Sequence, residues 1–289
     1  MTSAATLLAG SGLPRAEARR LLAVALGVTI EALVARPELA VDDTTATRFA
    51  DLCARRARGE PVAYLLGEKE FYGRRFTVSS AVLVPRPETE LLVQLALQRL
   101  QRLRAPRVLD LGTGSGCIAI TLALECANAR VVAVDRSAAA LAIAGGNAQQ
   151  LGAPSPPAGE GQGRGGISPL TARIEFLRSD WFERVTGHFD VIVANPPYVA
   201  AADPHLAALA HEPQHALVAG ADGLDDLRRI VAGAPAHLNP GGWLAVEHGH
   251  DQGAGVRELF AYAGFEDIET HRDLAGVERV CAGTLATPV

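Results

Sequence analysis

Residues 194–198 read Ala-Asn-Pro-Pro-Tyr, and their side chains suit the binding of a planar amino group. The carboxamide oxygen of Asn195 is a hydrogen-bond acceptor, and a turn stiffened by Pro196 and Pro197 can direct the Pro196 carbonyl beside it. Two adjacent acceptors fit the two N–H groups of a planar –NH2, and Tyr198 offers a flat face for that group. The competing interpretation is structural, with Asn195 capping a turn and Tyr198 packing. The apolar run before Asn195 predicts a buried strand, so this site lies at a strand end, where open α/β sheets bind their ligands.

A glycine-rich loop, Gly112-Thr113-Gly114-Ser115-Gly116, follows a predicted strand at Arg107–Leu111 and precedes a predicted helix at Cys117–Ala127. Its glycines allow a ligand close to the backbone, and the helix N-terminus presents free N–H groups. Nicotinamide enzymes carry a similar loop, but here the third glycine comes one position early and Cys117 replaces the expected Gly or Ala. Asp110 can meet the cationic amino group that S-adenosylmethionine has and NAD lacks. These details favour S-adenosylmethionine.

Two further strand ends carry residues suited to a nucleoside. The strand Ala129–Asp135 ends in a carboxylate that can accept ribose hydroxyls, and a helix follows it. The strand Arg173–Arg178 leads to Asp180, which can accept an adenine amino group, and to Trp181, which can pack against the ring. A buried tryptophan beside a capping aspartate is the alternative for this pair.

The remaining pattern predicts two domains joined by a hairpin. Residues 1–66 read as a small helical bundle, with helices at 14–26, 30–34 and 44–58. Aromatic and β-branched residues around Gly73 predict a hairpin within the linker 67–85. From residue 86 to 289 strands and helices alternate, with later strands at 241–247, 265–272 and 278–282, giving about seven strands with the last antiparallel. A Gly/Pro-rich stretch around 154–169 predicts a flexible surface loop.

Composition excludes several classes of protein. The net charge is −5, and no strongly basic face indicates direct nucleic-acid binding. The four cysteines show no paired spacing, so we expect neither disulfides nor a zinc site, and no other metal site is predicted. The sequence shows no signal peptide and no membrane-spanning run, which predicts a cytoplasmic protein without membrane contact.

Five segments resemble the release factor glutamine methyltransferase family, itself similar to the wider Asn-Pro-Pro-Tyr class of N-methyltransferases. They occur in the family's order and cover almost the whole chain: Val82–Glu90, Asp110–Gly116, Ser179–Phe182, Asn195–Tyr198 and Asp273–Gly276. The stretch around 154–169 is longer than the family pattern, but it lies between motifs and leaves the expected reaction unchanged.

The resemblance implies an α/β fold, a seven-stranded class I S-adenosylmethionine-dependent (Rossmann-like) methyltransferase domain preceded by a small N-terminal helical domain that docks the substrate. It implies methylation of the side-chain amide nitrogen (N5) of a glutamine in peptide chain release factors, by a monomer. The implied cofactor-binding residues are Gly112, Thr113, Gly114, Ser115, Gly116, Asp135, Trp181 and Asn195. The implied substrate-binding residues are Asn195, Pro196, Pro197 and Tyr198, of which Asn195, Pro196 and Tyr198 are expected to be catalytic.

Three alternatives remain at this point. An adenine-N6 methyltransferase acting on DNA or RNA could use the same acceptor pair, although the acidic charge of residues 78–289 disfavours backbone binding. A dinucleotide-dependent oxidoreductase is disfavoured by Cys117 and by the Asn-Pro-Pro-Tyr strand end. A non-catalytic adaptor that binds a release factor through its helical domain is disfavoured by the intact motif.

Overall fold

The computed structural model describes residues 2–153 and 169–287. The chain forms two compact units, one of Met1–Lys69 with Val78–Ser80 and the other of Glu70–Thr77 with Ala81–Val289. The boundaries expected from sequence, with a linker at 67–85, stay a prediction.

The first unit is mainly helical, and three of its helices begin at polar caps. Ser3, Thr29 and Asp42 each accept a hydrogen bond from the backbone N–H three residues later, which satisfies a donor left free at the helix start. Gly27 ends one helix in the left-handed conformation, with φ 68°. The elements are β1 (Thr2–Ser3), α1 (Ala4–Ala9), α2 (Arg15–Leu26), α3 (Ile30–Ala35), β2 (Ala40–Val41), α4 (Asp43–Ala57) and α5 (Val62–Leu66).

Two of these helices are absent from the sequence prediction. Helices α1 and α5 contain 6 and 5 residues, so each spans less than two turns and gives only a weak periodic signal. Both contribute to the buried core of this unit, which is built mainly from alanine and leucine with Phe49.

The hairpin that follows consists of β3 (Glu68–Phe71) and β4 (Arg74–Thr77). Its two turn residues, Tyr72 and Gly73, have φ values of 50° and 70°, as a tight turn compatible with strand twist requires. Phe71 and Phe76 of this hairpin are buried in the core of the second unit, with ring centroids 6.1 Å apart in an edge-to-face arrangement.

The second unit alternates strands and helices after the hairpin. Its elements are α6 (Thr89–Leu100), β5 (Arg107–Leu111), α7 (Cys117–Glu125), β6 (Arg130–Asp135), α8 (Ala138–Gly152), α9 (Leu170–Arg173), β7 (Ile174–Arg178), β8 (Phe189–Ala194), α10 (Asp225–Gly233), β9 (Leu238–Glu247), α11 (Gly253–Tyr262), β10 (Phe265–Arg272) and β11 (Glu278–Leu285), with short 3-10 helices at Pro204–Leu209, Gln214–Ala216 and Ala234–His237.

Seven strands form one sheet in the order β10-β11-β9-β8-β5-β6-β7. Strands β5 to β9 are parallel, whereas β11 is antiparallel to both of its neighbours. Two clusters of buried apolar side chains flank the sheet, so its central strands are buried on both faces and read as continuous apolar runs. The predicted α/β fold with seven strands is confirmed.

The register of the sheet aligns the strand ends that the sequence singles out. Leu111 pairs with Ala194 on one side and with Val134 on the other, and Ala194 pairs with Val246. The next residues along each strand therefore emerge side by side at one edge, which we call the carboxyl edge. The chain moves outward from β5 to β7 and then returns to β8 on the other side of β5, so the edge contains a topological switch point.

Several element boundaries differ from the sequence prediction. Strand β9 begins at Leu238 instead of Gly241, and β11 extends to Leu285 instead of ending at Ala282. Glycines and a proline hide these extensions, because such residues have low strand propensity. The Gly/Pro-rich stretch lies outside the described residues, apart from Pro169 at the N-cap of α9.

Helix α8 contains a position at which stability can be gained. An added Cβ at Gly146 meets no atom within 4 Å, so Gly146→Ala is expected to raise the free energy of unfolding by about 1 kcal/mol through helix propensity. Urea denaturation measures this gain. Gly233→Ala in α10 is the matched control, because its Cβ would lie 2.7 Å from the Phe182 ring. A gain in the control equal to that at Gly146 would contradict the explanation.

Candidate active site

A cleft of about 900 Å³, including its open mouth, lies at the carboxyl edge. Residues from four neighbouring strand ends line it together with the segment before α6. The residues that matter for the chemistry are Arg86, Thr89, Gly112, Thr113, Gly114, Ser115, Asp135, Asp180, Trp181, Asn195, Pro197, His215 and Asp226.

The glycine-rich loop between β5 and α7 forms one wall of the cleft. Gly112, Gly114 and Gly116 all have positive φ, between 55° and 80°, which side chains other than glycine rarely adopt. The backbone N–H groups of Gly112 and Thr113 donate to the Val134 carbonyl, at 2.9 and 2.8 Å, and tie the loop to β6. The loop is thus a rigid surface of exposed backbone.

Two of these glycines are required for different steric reasons. A Cβ on Gly112 would lie 3.3 Å from the Trp181 ring, at the wall of the cleft. A Cβ on Gly116 would lie 2.8 Å from the side chain of Ile120 and 3.1 Å from Ala144. Gly116 therefore permits helix packing behind the loop, and it does not line the cleft.

Asp110, a buried residue of β5, holds the glycine-rich loop in place through two hydrogen bonds. Its Oδ2 accepts hydrogen bonds from the Thr113 hydroxyl at 2.7 Å and from the Ala119 N–H at 3.2 Å. Asp110 is fully buried and is not a lining residue. Its Oδ2 braces the loop, its Oδ1 has no hydrogen-bond partner among the described residues, and the contact with a cationic amino group expected from the sequence stays a prediction. Burial raises the pKa of Asp110 to about 7, against the lowering effect of these hydrogen bonds.

This raised pKa predicts a pH-dependent contribution to stability. Between about pH 4 and pH 7 the folded state keeps a proton on Asp110 that the unfolded chain loses, so the free energy of unfolding falls as the pH rises. Urea denaturation at pH 5 and pH 7.5 measures this decrease in the free energy of unfolding. In Asp110→Asn the decrease should be smaller than in the wild type by about 2 kcal/mol. An unchanged pH difference would contradict the assigned pKa direction.

Asp135 lies at the end of β6 and lines the cleft. One of its carboxylate oxygens accepts from the Gly114 N–H at 3.0 Å, and the other accepts from the Ser137 N–H at 2.8 Å. These backbone donors orient the carboxylate, while its remaining lone pairs can accept further donors such as a pair of hydroxyl groups.

Trp181 occupies the wall beside Asp135. Its backbone has φ 45°, an unusual value for a bulky residue, and such strained conformations concentrate at functional sites. The indole N–H donates to Asp226 Oδ1 at 3.0 Å, which fixes the ring against Gly112. Asp180 forms a 3.0 Å ion pair with Arg229 at the same wall.

Asn195 lies at the end of β8, next to Gly112 across the sheet. Its Nδ2 donates to the hydroxyl oxygen of Thr89 at 3.0 Å. Its Oδ1 is buried and has no hydrogen-bond partner within the part of the chain that the structure describes. A buried acceptor without a partner is costly, so this oxygen is suited to a donor supplied by a ligand.

Beyond Asn195 the sheet edge continues to Glu247, at the end of β9. Glu247 is 1 % exposed, and its Oε1 accepts from the Tyr198 hydroxyl at 3.2 Å. Burial raises the pKa of Glu247 to about 7, and the hydroxyls of Thr89 and Tyr198 oppose this rise. Burial also raises the pKa of Tyr198, which therefore stays a neutral phenol.

The segment before α6 is joined to the loop after β8. Glu212, which is 4 % exposed, accepts from the Val84 N–H at 3.0 Å and forms an ion pair with Arg86. Arg86 and His215 both line the cleft. The ion pair therefore connects two segments that contribute to the same wall of the cleft.

The structure brings most of the predicted site residues together. Those that line the cleft are Gly112, Thr113, Gly114, Ser115, Asp135, Trp181, Asn195 and Pro197. Three others do not line it: Gly116, Pro196 and Tyr198. The roles assigned to all of them from sequence stay predictions. Thr89 and Glu247 were not identified from the sequence as candidate site residues. The position of Glu247 at the end of the predicted strand 241–247 was a signal that it lies at the ligand-binding edge of the sheet.

Across residues 2–153 and 169–287, no group of three or more His, Cys, Asp or Glu side chains is arranged to hold a metal ion. Within the same ranges, every helix is too short or too polar to cross a bilayer.

The residues of the cleft fit S-adenosylmethionine, because they combine a close-approach glycine, a ribose-type acceptor and an unpaired buried acceptor. The sheet order and this site define a class I S-adenosylmethionine-dependent methyltransferase. Two family models match, "PrmC N-terminal domain" over residues 1–67 and "Methyltransferase small domain" over residues 88–160.

Relatives along the full length identify the family. Release factor glutamine methyltransferases from Bordetella pertussis and Pseudomonas aeruginosa are 47% and 46% identical, and each alignment covers 99% of this chain and 100% of the relative. That of Salmonella typhimurium is 42% identical over 96% of this chain and 94% of its own. This chain belongs to the release factor glutamine methyltransferase family.

Solved structures with the same fold are more distant. The T. thermophilus 16S rRNA N2 G1207 methyltransferase (RsmC), in complex with AdoMet and guanosine, is 21% identical with a TM-score of 0.52, over 75% of this chain and 49% of its own. The hMettl16 catalytic domain, bound to an RNA hairpin, is 15% identical with a TM-score of 0.56, over 86% of this chain and 85% of its own. These similarities concern the fold alone.

Proposed function

We propose that this chain methylates the side-chain amide nitrogen of a glutamine in a peptide chain release factor, with S-adenosylmethionine as the methyl donor. The observation that carries the proposal is the unpaired, buried Oδ1 of Asn195, which lines the cleft beside the glycine loop. Membership of the release factor glutamine methyltransferase family supports the substrate class.

An amide nitrogen is a poor nucleophile because its lone pair is delocalised into the carbonyl group. In the proposed mechanism, Asn195 Oδ1 and the Pro196 carbonyl each accept one N–H of the glutamine amide, which orients the nitrogen. Pro197 and Tyr198 support this turn, and Tyr198 is held by Glu247 through its hydroxyl. Catalysis then rests on positioning of the reacting atoms at roughly 3–3.5 Å. No strong base is needed before transfer, because the alkylated nitrogen is acidic and loses its extra proton readily to water.

S-adenosylmethionine supplies an electrophilic methyl group on a sulfonium. Gly112, Thr113, Gly114 and Ser115 would approach it through the backbone, with Gly116 permitting the loop conformation. Asp135 would accept the ribose hydroxyls, and Trp181 would pack against the adenine. Asn195 would contact both the cofactor and the substrate, since it is the first residue of the Asn-Pro-Pro-Tyr turn and lies next to Gly112 of the loop.

Further parts of the proposal concern the partner. The helical residues 1–66 dock the release factor, and the hairpin segment 67–85 links them to the catalytic residues 86–289. The enzyme acts as a cytoplasmic monomer without direct contact to nucleic acid or membrane. The net charge of −5 supports the absence of direct nucleic-acid binding.

Methyl transfer from labelled S-adenosylmethionine to a purified bacterial release factor tests the proposal, with duplex DNA and bulk RNA as parallel acceptors. We expect label on one glutamine of the release factor, located by peptide mass spectrometry and lost when that glutamine is substituted. Label on nucleic acid alone would instead support the adenine-N6 alternative. An absence of label on every acceptor, with cofactor still bound, would support the adaptor alternative.

A further inference from the structure

Two hydrogen-bonded pairs of polar side chains lie near each other at the cleft, and we call the four residues the amide relay: Asn195, Thr89, Glu247 and Tyr198. Asn195 Nδ2 donates to the Thr89 hydroxyl oxygen at 3.0 Å, and the Tyr198 hydroxyl donates to Glu247 Oε1 at 3.2 Å. Glu247 Oε2 has no hydrogen-bond partner among the described residues, and the Thr89 hydroxyl, a neighbour of this carboxyl group, lowers the pKa of Glu247. Thr89 and Glu247 are 2 % and 1 % exposed, so water does not compete for these groups.

The numbers of donors and acceptors on these side chains determine the direction of the hydrogen bonds in the amide relay. A threonine hydroxyl has a single proton, and Thr89 uses a lone pair of its oxygen to accept from Asn195. Its proton is therefore free to point at the Glu247 carboxyl, which also accepts the proton of Tyr198. Glu247 thus receives the Tyr198 proton at Oε1, and its unpartnered Oε2 can receive the Thr89 proton, which leaves the Thr89 oxygen available as an acceptor.

This hydrogen-bond direction determines the orientation of the Asn195 carboxamide. An asparagine amide can present either its oxygen or its NH2 group to a neighbour, and the two orientations differ by a flip. With Thr89 as an acceptor, the NH2 end faces Thr89 and the oxygen end is left without a partner among the described residues. A flipped amide would present N–H groups where the proposed substrate also has N–H groups.

We propose that Thr89 and Glu247 are positioning residues that set the amide orientation of Asn195, so that its Oδ1 and not its Nδ2 meets the substrate amide. This inference rests on the proposed function for its substrate and adds two residues, from the start of α6 and the end of β9, to the acceptor site. Tyr198 is held by the same carboxyl group, so one buried residue positions both the amide acceptor and the aromatic side chain.

The environment of Glu247 combines charged neighbours with almost complete burial. Arg279 lowers the pKa of Glu247 and Glu88 raises it, while the dominant influence is burial. A core position with 1 % exposure ordinarily favours an apolar side chain, because a buried carboxyl group must lose its hydration. Retaining glutamate between two hydroxyl donors is therefore explained by the orientation that it imposes.

Thr89→Val tests the inference, because valine keeps the shape of threonine but cannot accept from Asn195. We expect kcat for methyl transfer to the release factor to fall about tenfold or more, the loss expected for an orienting hydrogen bond. KM for the release factor should change less than kcat, and calorimetric affinity for S-adenosylhomocysteine should stay within about twofold, since the glycine loop is unaltered. Thr89→Ser, which restores the hydroxyl, should recover most of kcat.

Thr121→Val is the matched control, since Thr121 is also fully buried and its hydroxyl has no partner among the described residues. This variant should retain wild-type kcat. Equal losses of kcat in Thr89→Val and Thr121→Val, or failure of Thr89→Ser to recover activity, would overturn the inference and assign Thr89 a structural role. If wild-type enzyme labels no release factor, the proposed function itself fails, which is a separate result.

Discussion

Replacing Asn195 with alanine is expected to lower kcat for methyl transfer to the release factor by roughly 100- to 1,000-fold, the usual cost of losing a preorganised polar contact at a reacting centre. The side chain provides the buried Oδ1 acceptor that lines the cleft. Alanine leaves the glycine loop and Asp135 in place, so affinity for S-adenosylhomocysteine should change much less. Single-turnover transfer assays and isothermal titration calorimetry measure the two effects separately.

Asn239→Ala provides the control for this substitution. Asn239 is also partly buried and its Nδ2 donates to Asp190 at 2.7 Å, but it does not line the cleft. The control should transfer methyl groups at close to the wild-type rate. Unchanged turnover in Asn195→Ala would remove Asn195 from the mechanism, and equal losses in both variants would indicate a general effect on folding.

Replacing Gly112 with valine should weaken binding of S-adenosylhomocysteine by about 10- to 100-fold, since overpacking typically costs 1–3 kcal/mol. Gly112 has φ 76°, and a Cβ there would lie 3.3 Å from the Trp181 ring. Valine must therefore displace Trp181 or the loop at the wall of the cleft. Isothermal titration calorimetry with S-adenosylhomocysteine measures the loss directly.

Gly264→Val is the control that distinguishes the steric overlap with Trp181 from the backbone strain caused by a positive φ. Gly264 has φ 82°, close to that of Gly112, but an added Cβ there meets no atom within 4 Å. Both variants should lose stability from the positive φ, whereas only Gly112→Val should lose cofactor affinity. Similar affinity losses in both would contradict the proposed role of Gly112 in the cleft.

Much of the catalytic unit could be predicted because its information is local. Continuous apolar runs identified the central strands, and the residues after them, such as Gly112, Asp135 and Asn195, already indicated a ligand edge. Parallel strands bring their carboxyl ends to one edge, so sequence position translated directly into spatial proximity.

Other features depend on contacts that no local pattern reveals. Thr89 meets Asn195 across 106 residues of sequence, and Tyr198 meets Glu247 across 49. The sequence also did not indicate that Asp110 Oδ2 accepts from Thr113 and Ala119 at the base of the loop. Such roles depend on side-chain direction, which the order of the motifs does not specify.

The position of β5 in the middle of the sheet also affects how the chain is made. A ribosome synthesises β5, β6 and β7 before β8, and the backbone N–H of Arg107 on β5 has no acceptor until Asp190, 83 residues later, has been made. Until then the nascent sheet has an open, apolar edge along β5, of the kind that invites pairing with other chains. Arrival of β8 closes that edge and places Asn195 beside Gly112 in the same event. A nascent chain without β8 is therefore both inactive and prone to aggregation.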